Sequence, residues 1–76
     1  MATLYSVTCT GEFSGGVIVK LRELGMYRVA MPGEGRPQHE LQVEAGSPDD
    51  AILRVRGAVA VAGGQGFDYR AVPAED

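Results

Sequence analysis

The sequence predicts a small α+β domain whose strands and helices follow one another in the order βαββαβ. Four segments alternate apolar and polar residues with a period of two, which is typical of strands that bury one face. Two segments repeat apolar residues at spacings of three and four behind a capping residue, which is typical of amphipathic helices. At 76 residues, the chain is expected to form a single domain over residues 1–76 with one small core.

Residues 4–10 predict the first strand, because apolar and hydroxyl side chains alternate there and many are β-branched. Residues 14–24 predict a helix that Ser14 caps and Gly25 ends. The β-branched run at residues 17–19 also fits a strand, so the pattern leaves both structures open and we prefer the helix. The apolar stripe of this helix would consist of Val17, Ile18, Leu21 and Leu24.

Residues 26–31 alternate again and predict the second strand, which Pro32 would end. The glycines and prolines of residues 32–37 are typical of a turn. In residues 39–45 the apolar and polar positions alternate without interruption, which predicts a third strand with one buried face. Two neighbouring strands with a short connection are expected to form an antiparallel hairpin.

The second helix has the clearest signals of the chain. Ser47 supplies an N-cap hydroxyl, and Pro48 suits the first helical position. Asp49 and Asp50 place carboxylates at the positive end of the helix dipole. Residues 53–61 also alternate with a period of two, so a strand there remains the alternative. The helix would end at Gly63 and Gly64, and its apolar stripe would consist of Ile52, Val55, Val59 and Ala62.

Residues 67–71 predict the last strand, and an acidic flexible tail is expected from about residue 73. The order is that of the ferredoxin-like fold, a four-stranded antiparallel sheet with two helices on one face. The alternative is a mostly β domain with one helix, in which residues 17–21 or 53–61 form a strand. The side chains expected to face the helices are Tyr5, Val7, Tyr27, Val29, Leu41, Val43, Phe67 and Tyr69, and those expected to face outwards are Ser6, Thr8, Arg28, Gln42 and Arg70.

Composition narrows the classes of function. The formal charge of −3 and the isoelectric point near 5.0 argue against direct nucleic-acid binding through phosphate contacts. One cysteine cannot form an intramolecular disulfide, and the paired cysteines and histidines of zinc sites are lacking. Without a long apolar run or a signal peptide, the chain is expected to be a cytoplasmic domain with no membrane attachment, metal or cofactor.

Cys9 lies near the end of the first predicted strand and is followed by Thr10, Gly11 and Glu12. In element order the chain resembles the heavy-metal-associated domains, in which a Cys-x-x-Cys loop precedes the first helix. The second cysteine of that loop is missing here, so the resemblance implies the topology and no metal site. The element order is also similar to that of RNA-recognition domains, but none of the predicted outward positions is aromatic, as base stacking would require.

Cys9 and His39 could in principle form a nucleophile and its base, since both have inward parity on strands of one sheet. The sequence supplies no group to orient the histidine, so a buried structural cysteine is the preferred interpretation and we do not expect an enzyme. The loop at residues 11–16 could instead bind an anion on its backbone amides. This alternative function, a small-ligand or regulatory subunit, would use Ser14, Gly15 and Gly16.

The preferred hypothesis is a small non-catalytic module that docks onto a partner protein. Its contact surface would be the outer sheet face or a second apolar line on the second helix, formed by Leu53, Gly57 and Val61. A compact acidic chain without catalytic motifs would also suit a phage or mobile-element inhibitor of the anti-CRISPR type. A third hypothesis is a self-assembling module or homodimer. The expected partner-binding residues are Arg28, Glu40, Gln42, Glu44, Leu53, Val61 and Arg70.

Overall fold

The computed structural model describes residues 2–31 and 37–74 and confirms the predicted α+β fold. Both segments whose pattern also fitted a strand are helical, so the mostly β alternative is wrong. The strands are β1 (Thr3–Thr10), β2 (Tyr27–Met31), β3 (Gln38–Ala45) and β4 (Phe67–Pro73), and the helices are α1 (Gly15–Glu23) and α2 (Pro48–Ala62).

The four strands form one antiparallel sheet in the order β2-β3-β1-β4, and both helices lie against one of its faces. The central strands β1 and β3 pair in continuous register along their whole length. The antiparallel pairing of β2 with β3 agrees with the predicted hairpin, whereas its turn at residues 32–36 lies outside the described residues. Residues 75–76 of the predicted tail also lie outside them, and β4 itself continues to Pro73.

The core lies between the sheet and the two helices. Alternate residues of β1 and β3 point into it, as the period-two pattern predicts, and each helix contributes one stripe. Burial of this apolar surface is the main favourable term in folding such a small chain. The buried apolar side chains are Tyr5, Val7, Cys9, Val17, Leu21, Tyr27, Leu41, Val43, Ala45, Ala51, Val55 and Val59.

Side-chain hydrogen bonds explain where the helices begin. Ser47 Oγ accepts a hydrogen bond from the backbone N–H of Asp50 at 3.1 Å, and the Asp50 carboxylate accepts one from the residue before the cap at 3.2 Å. In α1, Ser14 Oγ accepts from the backbone N–H of Val17 at 3.4 Å. At the other end of α2, Gly63 has φ +89 and ends the helix in the left-handed conformation that glycine allows.

Two predictions of inward-facing residues are wrong, and both residues lie in edge strands with an irregular register. In β2 the register shifts after Tyr27, so that Val29 lies opposite Glu40 of the outer face and is exposed. In β4 the register shifts at Asp68, whose φ is +55, and Phe67 at the start of the strand is also exposed. An extra residue in one strand interrupts the alternation of faces, which the residue pattern alone does not reveal.

Leu24 is a third correction, because its spacing predicts a place in the buried stripe of α1. The helix ends one residue earlier, and Leu24 is an exposed C-cap residue. Gly25 then takes a left-handed conformation with φ +76, as expected for a residue that ends a helix. Leu24 is therefore exposed because the helix ends before it reaches the last position of the apolar stripe.

Gly57 gives the first testable prediction. It lies in the interior of α2, and a Cβ built on it meets no atom within 4 Å. We expect Gly57→Ala to raise the free energy of unfolding by about 0.5–1 kcal/mol, because alanine loses less conformational freedom than glycine in a helix. Urea denaturation of dilute protein measures this difference. A destabilised Gly57→Ala variant would contradict the open surroundings of this position.

Candidate functional site

A buried histidine joins three segments at one end of the sheet. His39 of β3 is 3% exposed, and its Nε2 lies 2.9 Å from the carbonyl oxygen of Gly11. Its Nδ1 lies 2.9 Å from the hydroxyl of Tyr27 in β2. Because a carbonyl oxygen can only accept, Nε2 carries a hydrogen and donates to Gly11, and in the neutral tautomer with this hydrogen Nδ1 can accept from the Tyr27 hydroxyl. Both ring nitrogens are therefore engaged in structural hydrogen bonds.

The ring of Phe13 covers one face of the same imidazole. The two ring centroids are 4.0 Å apart and the rings are nearly parallel, at 6°. Phe13 follows β1 in the loop that leads to α1, so the stacking and the Gly11 hydrogen bond hold this loop against the end of β3. The contacts made by His39 organise local structure and leave the ring shielded from solvent.

Cys9 does not form a catalytic pair with His39, although the two residues lie opposite each other in the register of β1 and β3. The histidine nitrogens bind other groups, and Cys9 is 2% exposed. Burial raises the pKa of the Cys9 thiol from 9.0 to about 11, which disfavours the nucleophilic thiolate. The expected burial of this cysteine is confirmed.

Tyr27 is held in its protonated form by the same environment. Burial raises the pKa of its hydroxyl above the ordinary value of 10.0, with a smaller opposing effect from the charge of Arg22. The Arg22 guanidinium lies 5.6 Å from the centroid of the tyrosine ring. A protonated hydroxyl can donate to Nδ1 of His39, so the environment of Tyr27 supports the hydrogen bond that it makes.

Glycines allow two loops to pack backbone against backbone beside this cluster. A Cβ at Gly11 would collide with the carbonyl oxygen of Gln65 and lie 3.1 Å from Cα of Gly66. A Cβ at Gly64 would lie 3.0 Å from the side chain of Val17. The loop before α1 and the loop after α2 therefore pack so closely that larger residues at Gly11 and Gly64 would force them apart.

A cleft of about 520 Å³ opens beside the two loops and includes part of the predicted anion site. Of the three predicted ligand residues, Ser14 lines it, whereas Gly15 and Gly16 are exposed in the first turn of α1 and do not. Glu12 also lines the cleft, and its negative charge would repel an anion. The cleft therefore places one of the three predicted ligand residues beside an acidic side chain. The lining residues are Glu12, Ser14, Val17, Gly63, Gly64, Gln65 and Phe67.

The open face of the sheet, which neither helix covers, holds most of the predicted partner-binding residues. Glu40, Gln42 and Glu44 alternate along the central strand β3 on this face. Arg70 lies on β4 opposite Thr8, and Arg28 is exposed at the irregularity of β2. In the part of the chain that the structure describes, none of the four charged residues among these five has an ion-pair partner.

The sequence pattern did not predict the hydrogen bond that Ser6 makes on this face. Ser6 Oγ donates a hydrogen bond to Glu40 Oε2 at 2.7 Å, which fixes the carboxylate on the surface. The strand register brings these two side chains together, and the spacing of 34 residues gives no local signal for it. A shallow cleft of about 550 Å³ lies beside this pair. Its lining residues are Ser6, Glu40, Gln42, Val72, Pro73 and Ala74.

Exposed apolar side chains flank the polar centre of the open face. Leu4 of β1, Val29 of β2 and Val72 of β4 are all exposed there. The alternation that places Ser6 outside also places Leu4 outside, so that residue could have been recognised from the sequence. The exposure of Val29 could not be predicted from the sequence, because the orientation of this residue depends on the register shift of β2. The open face thus combines fixed charge with apolar surface.

The other two predicted partner-binding residues lie on the opposite side of the molecule. Leu53 and Val61 are exposed on the solvent side of α2, so one flat contact surface cannot include both them and the open sheet face. Near this line, Arg54 Nε lies 3.0 Å from Asp50 Oδ2. The pKa of the Asp50 carboxyl is lowered, first by the hydrogen bond from Gly46 and then by Arg54. The Asp50 carboxylate is therefore engaged in the capping hydrogen bond with Gly46 and in the ion pair with Arg54.

No group of three or more histidine, cysteine, aspartate or glutamate side chains among residues 2–31 and 37–74 could hold a metal ion. Within the same residues, no helix has the length and apolar character needed to cross a membrane. No protein-family model matches the chain, and neither does any curated protein or solved structure.

The raised pKa of Cys9 predicts how stability depends on pH. The unfolded chain ionises this thiol near pH 9 and the folded chain near pH 11, so the folded state binds more protons between these values. We therefore expect the free energy of unfolding to fall as the pH rises from 9 to 11. Urea titrations of the wild type and of Cys9→Ala measure this, and the variant should have the shallower pH dependence. Equal slopes would show that Cys9 does not contribute.

The close packing of the two loops predicts that alanine at Gly11 and alanine at Gly15 have very different effects on the free energy of unfolding. Gly11→Ala should lower the free energy of unfolding by about 1–3 kcal/mol, because the new methyl group meets the backbone of the facing loop. Gly15→Ala is the matched control, since no atom lies within 4 Å of its added Cβ, and it should change stability by about 0.5 kcal/mol or less. Thermal and urea denaturation compare the two variants. Similar losses in both would contradict close packing at Gly11.

Proposed function

We propose that this chain is a small non-catalytic module that docks onto a partner protein through the open face of its sheet. The observation that supports the proposal most directly is the pair Glu40 and Glu44 on the central strand β3. Both carboxylates lack an ion-pair partner among the described residues, and exposed apolar side chains lie around them. Charges at an interface steer encounters and select partners, while the apolar surface contributes affinity when it is buried.

The arrangement of the reactive side chains supports the same proposal. Both nitrogens of His39 are engaged in hydrogen bonds, and burial raises the pKa values of Cys9 and Tyr27. These groups stabilise the end of the sheet and lie away from solvent. The exposed groups of the described surface are carboxylates, basic side chains, amides, hydroxyls and apolar side chains, all of which protein interfaces use.

The charge pattern favours a partner surface of mixed character with a basic centre. Glu40 and Glu44 lie in one row on β3, but Arg28 lies on the adjacent edge strand β2, and Arg70 lies on the other edge strand, β4, beyond β1. A mimic of nucleic acid would need a more uniform negative surface. Docking by a few charges of both signs therefore suits this face better than an anti-CRISPR type of inhibition based on acidic mimicry.

A comparative capture experiment tests the proposal. We expect tagged wild-type protein to retain a partner from nuclease-treated lysate of its native host, and Glu40→Gln with Glu44→Gln to retain at least ten times less. Neutral glutamines keep the shape of the face while removing its charge, so the loss would report electrostatic recognition. Quantitative mass spectrometry measures the retained protein, and added salt should weaken retention by the wild type.

The matched control removes two charges elsewhere. Glu12→Gln with Glu23→Gln alters exposed carboxylates on the loop before α1 and on α1, and should retain the partner as the wild type does. Val72→Glu, which places a charge on the apolar part of the open face, should abolish retention. A partner retained equally by the wild type and both open-face variants would contradict docking on this surface.

A further inference from the structure

The cleft beside Ser6 on the open sheet face has one polar wall and one apolar wall. It has a volume of about 550 Å³ and crosses three strands. Gln42 of β3 and Val72 of β4 both lie opposite Ser6 of β1, so these three side chains form one row on the open face. The remaining lining residues are Glu40 on the polar side and Pro73 and Ala74 on the apolar side.

The polar wall carries hydrogen-bond acceptors that the fold leaves available. Ser6 Oγ donates to Oε2 of Glu40 at 2.7 Å, and this bond holds the half-buried carboxylate in one orientation. Within the described residues, Oε1 of Glu40 has no hydrogen-bond or ion-pair partner, and the side-chain amide of Gln42 has none either. A carboxylate offers about four lone-pair sites, so Glu40 can accept further hydrogen bonds while Ser6 keeps its own.

The apolar wall is held in place by the pairing of β4 with β1. Val72 pairs with Ser6, and the backbone N–H of Ala74 donates to the carbonyl oxygen of Leu4 at 2.9 Å. The aliphatic stem of a long basic side chain packs against apolar surface of this kind while its charged head reaches a polar group. The two walls together therefore suit a side chain with an apolar stem and a cationic head.

We propose that this cleft receives an arginine side chain of the partner protein, with the guanidinium on Glu40 and the stem against Val72. The assignment rests on the proposed docking function and names the group that the open face recognises. A guanidinium presents five N–H donors in a planar fork, so it can reach the carboxylate of Glu40 and the amide oxygen of Gln42 together. A lysine ammonium is a more strongly hydrated point charge and gains less from two acceptors.

The charges around the cleft agree with a cationic occupant. Among the described residues that line it, Glu40 alone is charged. Arg70 lies in the next row, where Thr8 separates it from Glu40, and Arg28 lies on β2. Neither arginine forms an ion pair with Glu40 in the part of the chain that the structure describes. Their charges weaken the attraction for a cation without filling the cleft, so Arg70→Gln should tighten the binding of arginine.

The surface next to the cleft favours a side chain of a protein over a free small molecule. Leu4 and Glu44 lie opposite each other in the register of β1 and β3, and both are exposed on the open face beside the row of Ser6. A small molecule in the cleft would leave both residues uncovered. A protein that inserts one side chain also covers the surroundings of that side chain, and arginine is among the residues that most often anchor protein interfaces in this way.

Titration of isotope-labelled protein with N-acetyl-arginine methylamide, followed by NMR, tests the cleft without the partner. The probe carries only the charge of its side chain, and we expect a dissociation constant on the order of 1–10 mM for one side chain in an open cleft. The backbone amide signals of Ser6, Gln42 and Val72 should shift, and those of α1 should not. The neutral citrulline analogue should give no saturable shift, and the lysine analogue should bind several-fold more weakly.

Variants of the cleft test the role of each wall. Glu40→Gln should weaken binding of the arginine probe at least about five-fold, and Ser6→Ala about two- to three-fold, because the carboxylate loses its charge or its fixed orientation. Ser6→Thr keeps the hydroxyl group and should restore binding, which a general loss of structure in Ser6→Ala would not explain. Val72→Lys should abolish binding by placing a positive charge in the cleft. Circular dichroism confirms that each variant is folded.

Glu23→Gln is the matched control for charge. It removes one exposed carboxylate of α1, away from the open face, and should bind the arginine probe as the wild type does. Equal weakening in Glu23→Gln and Glu40→Gln would overturn the proposal, because the probe would then respond to the net charge of the protein and not to the cleft.

Failure of the arginine assignment and failure of the docking function give different results. The assignment is overturned if the arginine probe does not shift the signals of the cleft, if Glu40→Gln binds it as tightly as the wild type, or if the lysine analogue binds equally well. Loss of the partner in the open-face variants would then still support docking. If the probe binds the cleft while the partner is retained equally by the wild type and by Glu40→Gln with Glu44→Gln, guanidinium recognition is supported and the docking function is wrong.

Discussion

The two hydrogen bonds of His39 hold three segments together at one end of the sheet, and the packing of the neighbouring loops depends on them. One bond reaches the hydroxyl of Tyr27 on the edge strand β2, and the other reaches the carbonyl of Gly11 where β1 leaves the sheet. A buried polar group is costly unless it is paired, so these partners must stay in place for the imidazole to remain buried. Phe13, which lies in the same loop as Gly11, stacks on the imidazole ring and adds a second contact between this loop and His39.

This constraint extends from the histidine to the helices. The loop that His39 holds also meets the backbone of the loop after α2, through the close approach of Gly11 to Gln65. Gly64 approaches the side chain of Val17 in α1, so both helices are tied to this end of the sheet. The residues that look most reactive in the sequence are thus used to stabilise the fold.

The topology divides the surface of the molecule into two sides with different character. Both helices pack on one face of the sheet, which leaves the other face open, with the fixed carboxylate of Glu40 among polar and apolar side chains. On the far side, α2 exposes an apolar line centred on Gly57.

The sequence by itself determined the strands, the helices and most of the core. Ser47, Pro48 and the following aspartates start α2 through local hydrogen bonds, and the alternation of residues 39–45 marks the buried face of β3. These signals act between residues close in the chain, so they can be recognised without the fold. The positions of Tyr5, Val7 and Leu41 in the core follow from the same alternation.

Only the tertiary structure decided the features that depend on strand register and on the approach of distant segments. The irregularities of β2 and β4 exposed Val29 and Phe67, and the register of β1 with β3 brought Ser6 to Glu40. The hydrogen bonds of His39 join residues 12 and 28 positions away in the chain. Such contacts carry no local signal, because their partners are selected by how the sheet pairs and how the loops pack.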